Sequence, residues 1–100
     1  MCILRIEHQV NDYDEWKKAF DSDPVGRERS GVRRYQVLRP VDDPNCVMID
    51  LEFDTEQQAR ALLAALRGVW SRIEGQVIFE PRARLTEVAE VKDFAAARAA

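Results

Sequence analysis

The apolar residues of this chain repeat at two different periods, and the order of those periods limits the folds open to it. Over residues 2–10 the repeat is two. Cys2, Leu4, Ile6, His8 and Val10 fall on one side, and Ile3, Arg5, Glu7 and Gln9 on the other, as in a strand with one buried face. Over 12–22 it lengthens. Tyr13, Trp16 and Phe20 are spaced i, i+3, i+7, and Asp12 followed by Glu15 marks a helix start. Asp23 before Pro24 predicts a second short helical piece, ended by Gly31. Period two returns over 32–41 and 46–54, on either side of Asp42-Asp43-Pro44-Asn45, a turn sequence that makes the two runs a hairpin. Thr55 with Gln58 is a second capping box. Behind it Ala59, Leu62, Leu63, Leu66, Val69, Trp70 and Ile73 carry a long helical stripe up to Gly75. A last strand is expected over 76–88, with Val77, Phe79 and Leu85 on one face and Glu80, Arg82 and Arg84 on the other. Pro81 within it implies a sheet edge or a bend.

The order β-α-β-β-α-β is that of the ferredoxin-like α+β fold, in which right-handed crossovers bring both helices to one face of an antiparallel sheet. One domain over residues 1–90 is expected, followed by an Ala-rich tail over 91–100. The helix-covered face would hold Leu4, Ile6, His8, Tyr35, Val37, Val47, Ile49, Leu51, Val77 and Phe79. The other face would mix Arg5, Glu7, Arg34, Asp50, Glu52 and Arg82 with Leu38, Met48 and Ile78. A face with both signs of charge suits self-pairing about a twofold axis, so a homodimer through the sheet, with charges paired across it, is expected. In this topology Cys2 and Cys46 start antiparallel neighbours and stand at opposite ends, too far apart for a disulfide.

Composition excludes several classes of function. Basic and acidic residues are interspersed, and the net charge of −3 provides no footprint for nucleic acid. No apolar run reaches the roughly 18 residues of a membrane span, and the first residues do not read as a secretion signal. A cytoplasmic protein that contacts neither nucleic acid nor membrane is expected.

The run from His8 to Asp21, HQVNDYDEWKKAFD, together with Gly31-Val32, Val37-Leu38-Arg39 and Asp42-Asp43-Pro44-Asn45, resembles small dimeric α+β barrel proteins of the antibiotic-biosynthesis-monooxygenase-like superfamily. The resemblance covers roughly residues 2–90. It implies a homodimer whose sheets face each other, and a pocket between sheet and helices for a small aromatic ligand. Characterised members include cofactor-free monooxygenases that turn polycyclic phenols into quinones, and haem-degrading enzymes. They place a polar residue, often Asn, on the first strand and a Trp on the second helix. Here those positions are His8 and Trp70. The second helix has no histidine to serve as a haem ligand.

Among the residues themselves, His8 is the only histidine, and its imidazole titrates near neutrality and can move a proton. Trp16, Trp70 and Tyr35 fall on faces that would line an apolar pocket beside it. These residues suggest a cofactor-independent monooxygenase or cyclase acting on an aromatic or polyketide-like substrate. His8 would be the base, Trp16, Tyr35 and Trp70 would bind substrate, and neither metal nor organic cofactor is implied. The alternative is a noncatalytic ligand-binding or structural homodimer.

Overall fold

A computed structural model describes residues 1–94. The expected tail over 91–100 therefore lies, from residue 95 on, outside the described residues. The elements are β1 (Cys2–Val10), α1 (Tyr13–Asp21), β2 (Val32–Leu38), β3 (Cys46–Phe53), α2 (Glu56–Ile73) and β4 (Ile78–Glu87). The strands form one antiparallel sheet in the order β2-β3-β1-β4. This is the ferredoxin-like α+β arrangement that the periodicity implied.

The helix starts follow from local chemistry. The Asp12 carboxylate accepts from the backbone N–H groups of Asp14 (2.9 Å) and Glu15 (3.4 Å). Thr55 and Gln58 form the full reciprocal box, at 3.2 and 3.3 Å, which satisfies two amide donors that the first turn would leave free. Between Asp23 and Gly31 the expected second helical piece is replaced by consecutive turns. Asp23 (φ 52°) and Gly26 (φ 63°) are in the left-handed region, which a right-handed helix does not admit. The Asp23 side chain still caps, accepting from the Arg27 N–H at 2.9 Å.

The core lies between sheet and helices. Leu4, Ile6 and Val10 of β1, and Val47, Ile49, Leu51 and Phe53 of β3, are buried under Trp16, Ala59 and Leu62. Beyond Leu62 the stripe of α2 is only half-buried, at Leu63, Leu66, Val69, Trp70 and Ile73. The C-terminal half of α2 therefore stands off the sheet. Gly68 lies in this half, and a Cβ there would meet nothing within 4 Å, so no close approach requires the roughly 1 kcal/mol it costs the helix.

The last strand departs from the expected alternation. β4 is an edge strand, as Pro81 suggested, and it carries a bulge. Glu7 pairs with Arg82 and Gln9 with Phe79, so Glu80 and Pro81 together oppose His8. Glu80 takes a φ of 53°. One extra residue reverses the side-chain parity beyond it. Ile78, expected on the open face, is buried in the core opposite Val10, and Phe79, expected in the core, shares the open face with Gln9. Val77, just ahead of the strand, still packs against the core.

On the open face two ion pairs form within the chain. Arg5 grips Asp50 through Nε and Nη2, each at 2.8 Å, and Arg34 bonds Glu52. Asp50 is 4% exposed, and the Arg5 guanidinium holds its carboxyl below the usual range. The cysteines are free. Cys2 pairs with Phe53 and Cys46 with Gln9, at opposite ends of the β1–β3 ladder, roughly 20 Å apart at about 3.3 Å per residue.

Candidate functional site

Where α2 leaves the sheet there is a cavity of about 240 Å³. Its floor is Ile6 and His8 of β1, Ile49 and Leu51 of β3, and Ile78 of β4. α1 contributes Trp16, Ala19 and Phe20, and α2 contributes Leu62, Leu66, Val69, Trp70 and Ile73. The turns after α1 close one end with Ser22, Pro24, Val25 and Arg27. The site is thus a consequence of the two helical stripes meeting a sheet whose centre they do not fill. A cavity of about 150 Å³ lined by apolar side chains is enough to bind benzene, so this one has room for more than a single ring.

His8 is the polar exception on the floor. It is 3% exposed, and its Nδ1 has no hydrogen-bond partner. A buried polar atom left unpaired costs roughly 1–3 kcal/mol. The Trp16 ring meets the imidazole edge-on, with centroids 5.6 Å apart. Burial lowers the imidazole pKa from 6.5 to about 4, the neighbouring Gln9 backbone opposing the shift. At neutral pH the ring is uncharged and able to accept a proton. The position of His8 opposite the β4 bulge fits a general habit of bulges, which occur beside sites where a side chain must be re-aimed.

Of the four residues expected to form a site, His8, Trp16 and Trp70 line this cavity, and Tyr35 does not. Tyr35 is on β2, at the other edge of the sheet, and is half-exposed. Its ring packs against Phe20 with centroids 5.2 Å apart. It lines a separate surface groove with Asp23, Arg27, Glu28, Arg33 and Arg34.

Several lining residues are not legible in the sequence. Ile78 falls on the wrong face until the bulge is known. Ser22, Pro24, Val25 and Arg27 come from turns where helix is expected. Arg27 is the one charged side chain on the cavity wall, and it is held in place there. Its Nη1 donates to the Phe20 carbonyl at 2.8 Å, and its guanidinium lies 3.8 Å from the Phe20 ring centroid. Asp23 is 3.6 Å away. A cation stacked and bonded in this way closes the end of the cavity and leaves little for a ligand to take over.

No family model matches the sequence, and no curated protein matches it either. Solved structures do match in fold. A variant of SnoaB, a cofactor-independent oxygenase from Streptomyces nogalater, superposes with a TM-score of 0.72 at 15% identity, covering 90% of this chain and 94% of that one. MhuD, in a variant with two manganese protoporphyrin IX molecules per active site, gives 0.70 at 17% identity, over 93% and 99% of the two chains. A dimeric ferredoxin-like protein from an uncultured marine organism gives 0.64 at 10% identity, over 93% and 99%. Proteins assigned as candidate antibiotic biosynthesis monooxygenases also share the arrangement. At these identities the likeness is one of fold: the chain has the fold of antibiotic-biosynthesis-monooxygenase-like proteins. Among the described residues, no helix is long and apolar enough to cross a membrane.

Proposed function

We propose that this protein is a cofactor-independent oxygenase for a small phenolic aromatic, with the cavity between sheet and helices as its active site. The observation that carries the reading is the unpartnered Nδ1 of His8, buried in the floor of a cavity that is otherwise almost wholly apolar. A phenol would lie between Trp16 and Trp70 and satisfy the imidazole with its hydroxyl. The neutral ring accepts the phenolic proton. The imidazolium, unfavourable when alone in this setting, is stabilised by the phenolate formed beside it. An electron-rich phenolate can reduce O₂ without a cofactor. Placing one oxygen atom on the ring at a C–H position and releasing the other as water converts phenol and O₂ into quinone and water, with no outside reductant. That SnoaB, similar in fold, is a cofactor-independent oxygenase supports the choice of chemistry.

The test is oxygen uptake with a panel of naphthols and anthrones. His8→Ala is expected to lose at least about 100-fold in rate, the lower range for a general base, while remaining folded by circular dichroism. In the native protein the acid limb of kcat/KM is expected near pH 4, where burial has put the free imidazole. Equal turnover in the variant would remove His8 from the mechanism. Binding of these phenols without oxygen uptake would favour the noncatalytic ligand carrier.

The reading includes a homodimer through the open sheet face. Two helices cover one face of the sheet and leave the other bare. There the paired charges surround Leu38, 40% exposed, and the half-buried Met48. Arg5–Asp50 and Arg34–Glu52 are neutralised within the chain, which leaves Glu7, Arg82 and Arg84 of the same face to pair across the twofold axis. A structure of the same fold is described as dimeric. Light scattering at micromolar concentration is expected to give twice the chain mass of 11.5 kDa. A monomer would overturn the assembly.

A further inference from the structure

Trp70 has two sides. One lines the cavity, and the other lines a surface groove of about 330 Å³ formed with Arg67, Ser71 and Glu74 of α2 and its flank and Pro81 and Ala83 of β4. The indole is therefore the partition between an apolar interior and a polar exterior. The arginine-bearing groove at the Arg27 end of the cavity has no free cation to offer. Arg27 is bonded to the Phe20 carbonyl and lies near Asp23, Arg33 is 3.8 Å from Asp54, and Arg34 is bonded to Glu52. At the Trp70 end the situation is reversed. Among the described residues, Arg67 has no carboxylate within ion-pair distance. Glu74 shares the groove but lies seven residues further on, roughly 10 Å along the helix axis. Ser71, one turn from Arg67, has its hydroxyl bonded back to the Gly68 carbonyl at 2.8 Å.

We infer that the ligand is amphiphilic: an aromatic phenol in the cavity that carries an anionic tail, passing the edge of Trp70 to meet the Arg67 guanidinium in the outer groove. The inference rests on the reading of the cavity as a ligand site and specifies what enters it. The apolar walls select the ring by burial. The interior offers no uncommitted cation to an anion, so a carboxylate must stay outside. Arg67, on the far side of the partition, has no carboxylate in ion-pair distance among the described residues.

The test uses (6-hydroxy-2-naphthyl)acetate and its methyl ester, titrated by calorimetry into the native protein, Arg67→Ala and Arg67→Lys. One charged hydrogen bond near the surface makes the acid bind about tenfold tighter than the ester. That ratio is expected to fall to about one in Arg67→Ala and to recover in part in Arg67→Lys, because a lysine supplies the charge without the planar fork. A ratio unchanged by Arg67→Ala, or an ester that binds as well as the acid to the native protein, overturns the tail site and leaves the cavity reading intact. Failure of both compounds to bind overturns the cavity reading with it.

Discussion

Between pH 6.5 and pH 4 the protein is expected to lose about 3 kcal/mol of folding stability through one residue, His8. The folded imidazole has a pKa of about 4 against 6.5 for the free side chain, because burial disfavours its cation. A native state that binds a proton less readily than the unfolded chain is destabilised by acid. The contribution is complete above pH 6.5 and disappears as the pH falls to 4, at about 1.4 kcal/mol per unit. For a domain of this size, with total stability of roughly 5–15 kcal/mol, that is a large share. Urea unfolding at half-unit intervals would measure it. His8→Phe, which keeps an aromatic ring against Trp16 but cannot titrate, is expected to flatten the curve over this range. The Asp50 carboxyl, held low by Arg5, contributes above its ordinary pKa and loses that contribution only below about pH 3.8, so its effect lies outside the His8 window. An unchanged slope in His8→Phe would show that some other group carries the dependence.

The second large effect is expected at Trp16. This residue is 4% exposed and is the hub of a row of rings. His8 meets it at 5.6 Å, Tyr13 at 5.7 Å and Phe20 at 5.0 Å, and Phe20 continues to Tyr35 at 5.2 Å. Cations cover the row: Arg39 lies 4.0 Å from the Tyr13 ring centroid and Arg27 lies 3.8 Å from that of Phe20. Trp16→Ala removes the hub and opens the cavity wall, which collapse cannot repair while α2 already stands off the sheet. A cost of about 3–5 kcal/mol is expected, read as a lower urea midpoint. Trp16→Phe is expected to keep most of the stacking and cost much less. A loss under about 1 kcal/mol in Trp16→Ala would mean that the row of rings does not hold α1 to the sheet.

Much of the candidate site was legible because it depends on regular periods. His8 shares a strand face with Ile6, and Trp16 and Trp70 lie on helical stripes, so all three had to point between sheet and helices. Tyr35 has the right parity as well, and it is on the helix side of its strand. Parity says nothing of lateral position, however, and β2 is the strand furthest from β4 in the sheet order. Phe20 and Arg27 fill the space beside Tyr35, and the cavity lies elsewhere. Along the sequence Arg67 is one of many arginines. What distinguishes it is that its groove adjoins the back of Trp70.

By itself the sequence determined the order of the elements, the facing of β1 and β3, the capped helix starts and the separation of the two cysteines. Each of these follows from local propensity or from an unbroken repeat. The tertiary structure alone decided the rest: the bulge opposite His8, the burial of Ile78 in place of Phe79, the turns that bring Arg27 to the cavity, and the pairing of Arg5 with Asp50. A bulge exists only in the register between two strands. An ion pair forms between residues 45 positions apart only once the sheet has set them side by side. Such features are properties of pairs of segments, which a periodicity read along one segment does not contain.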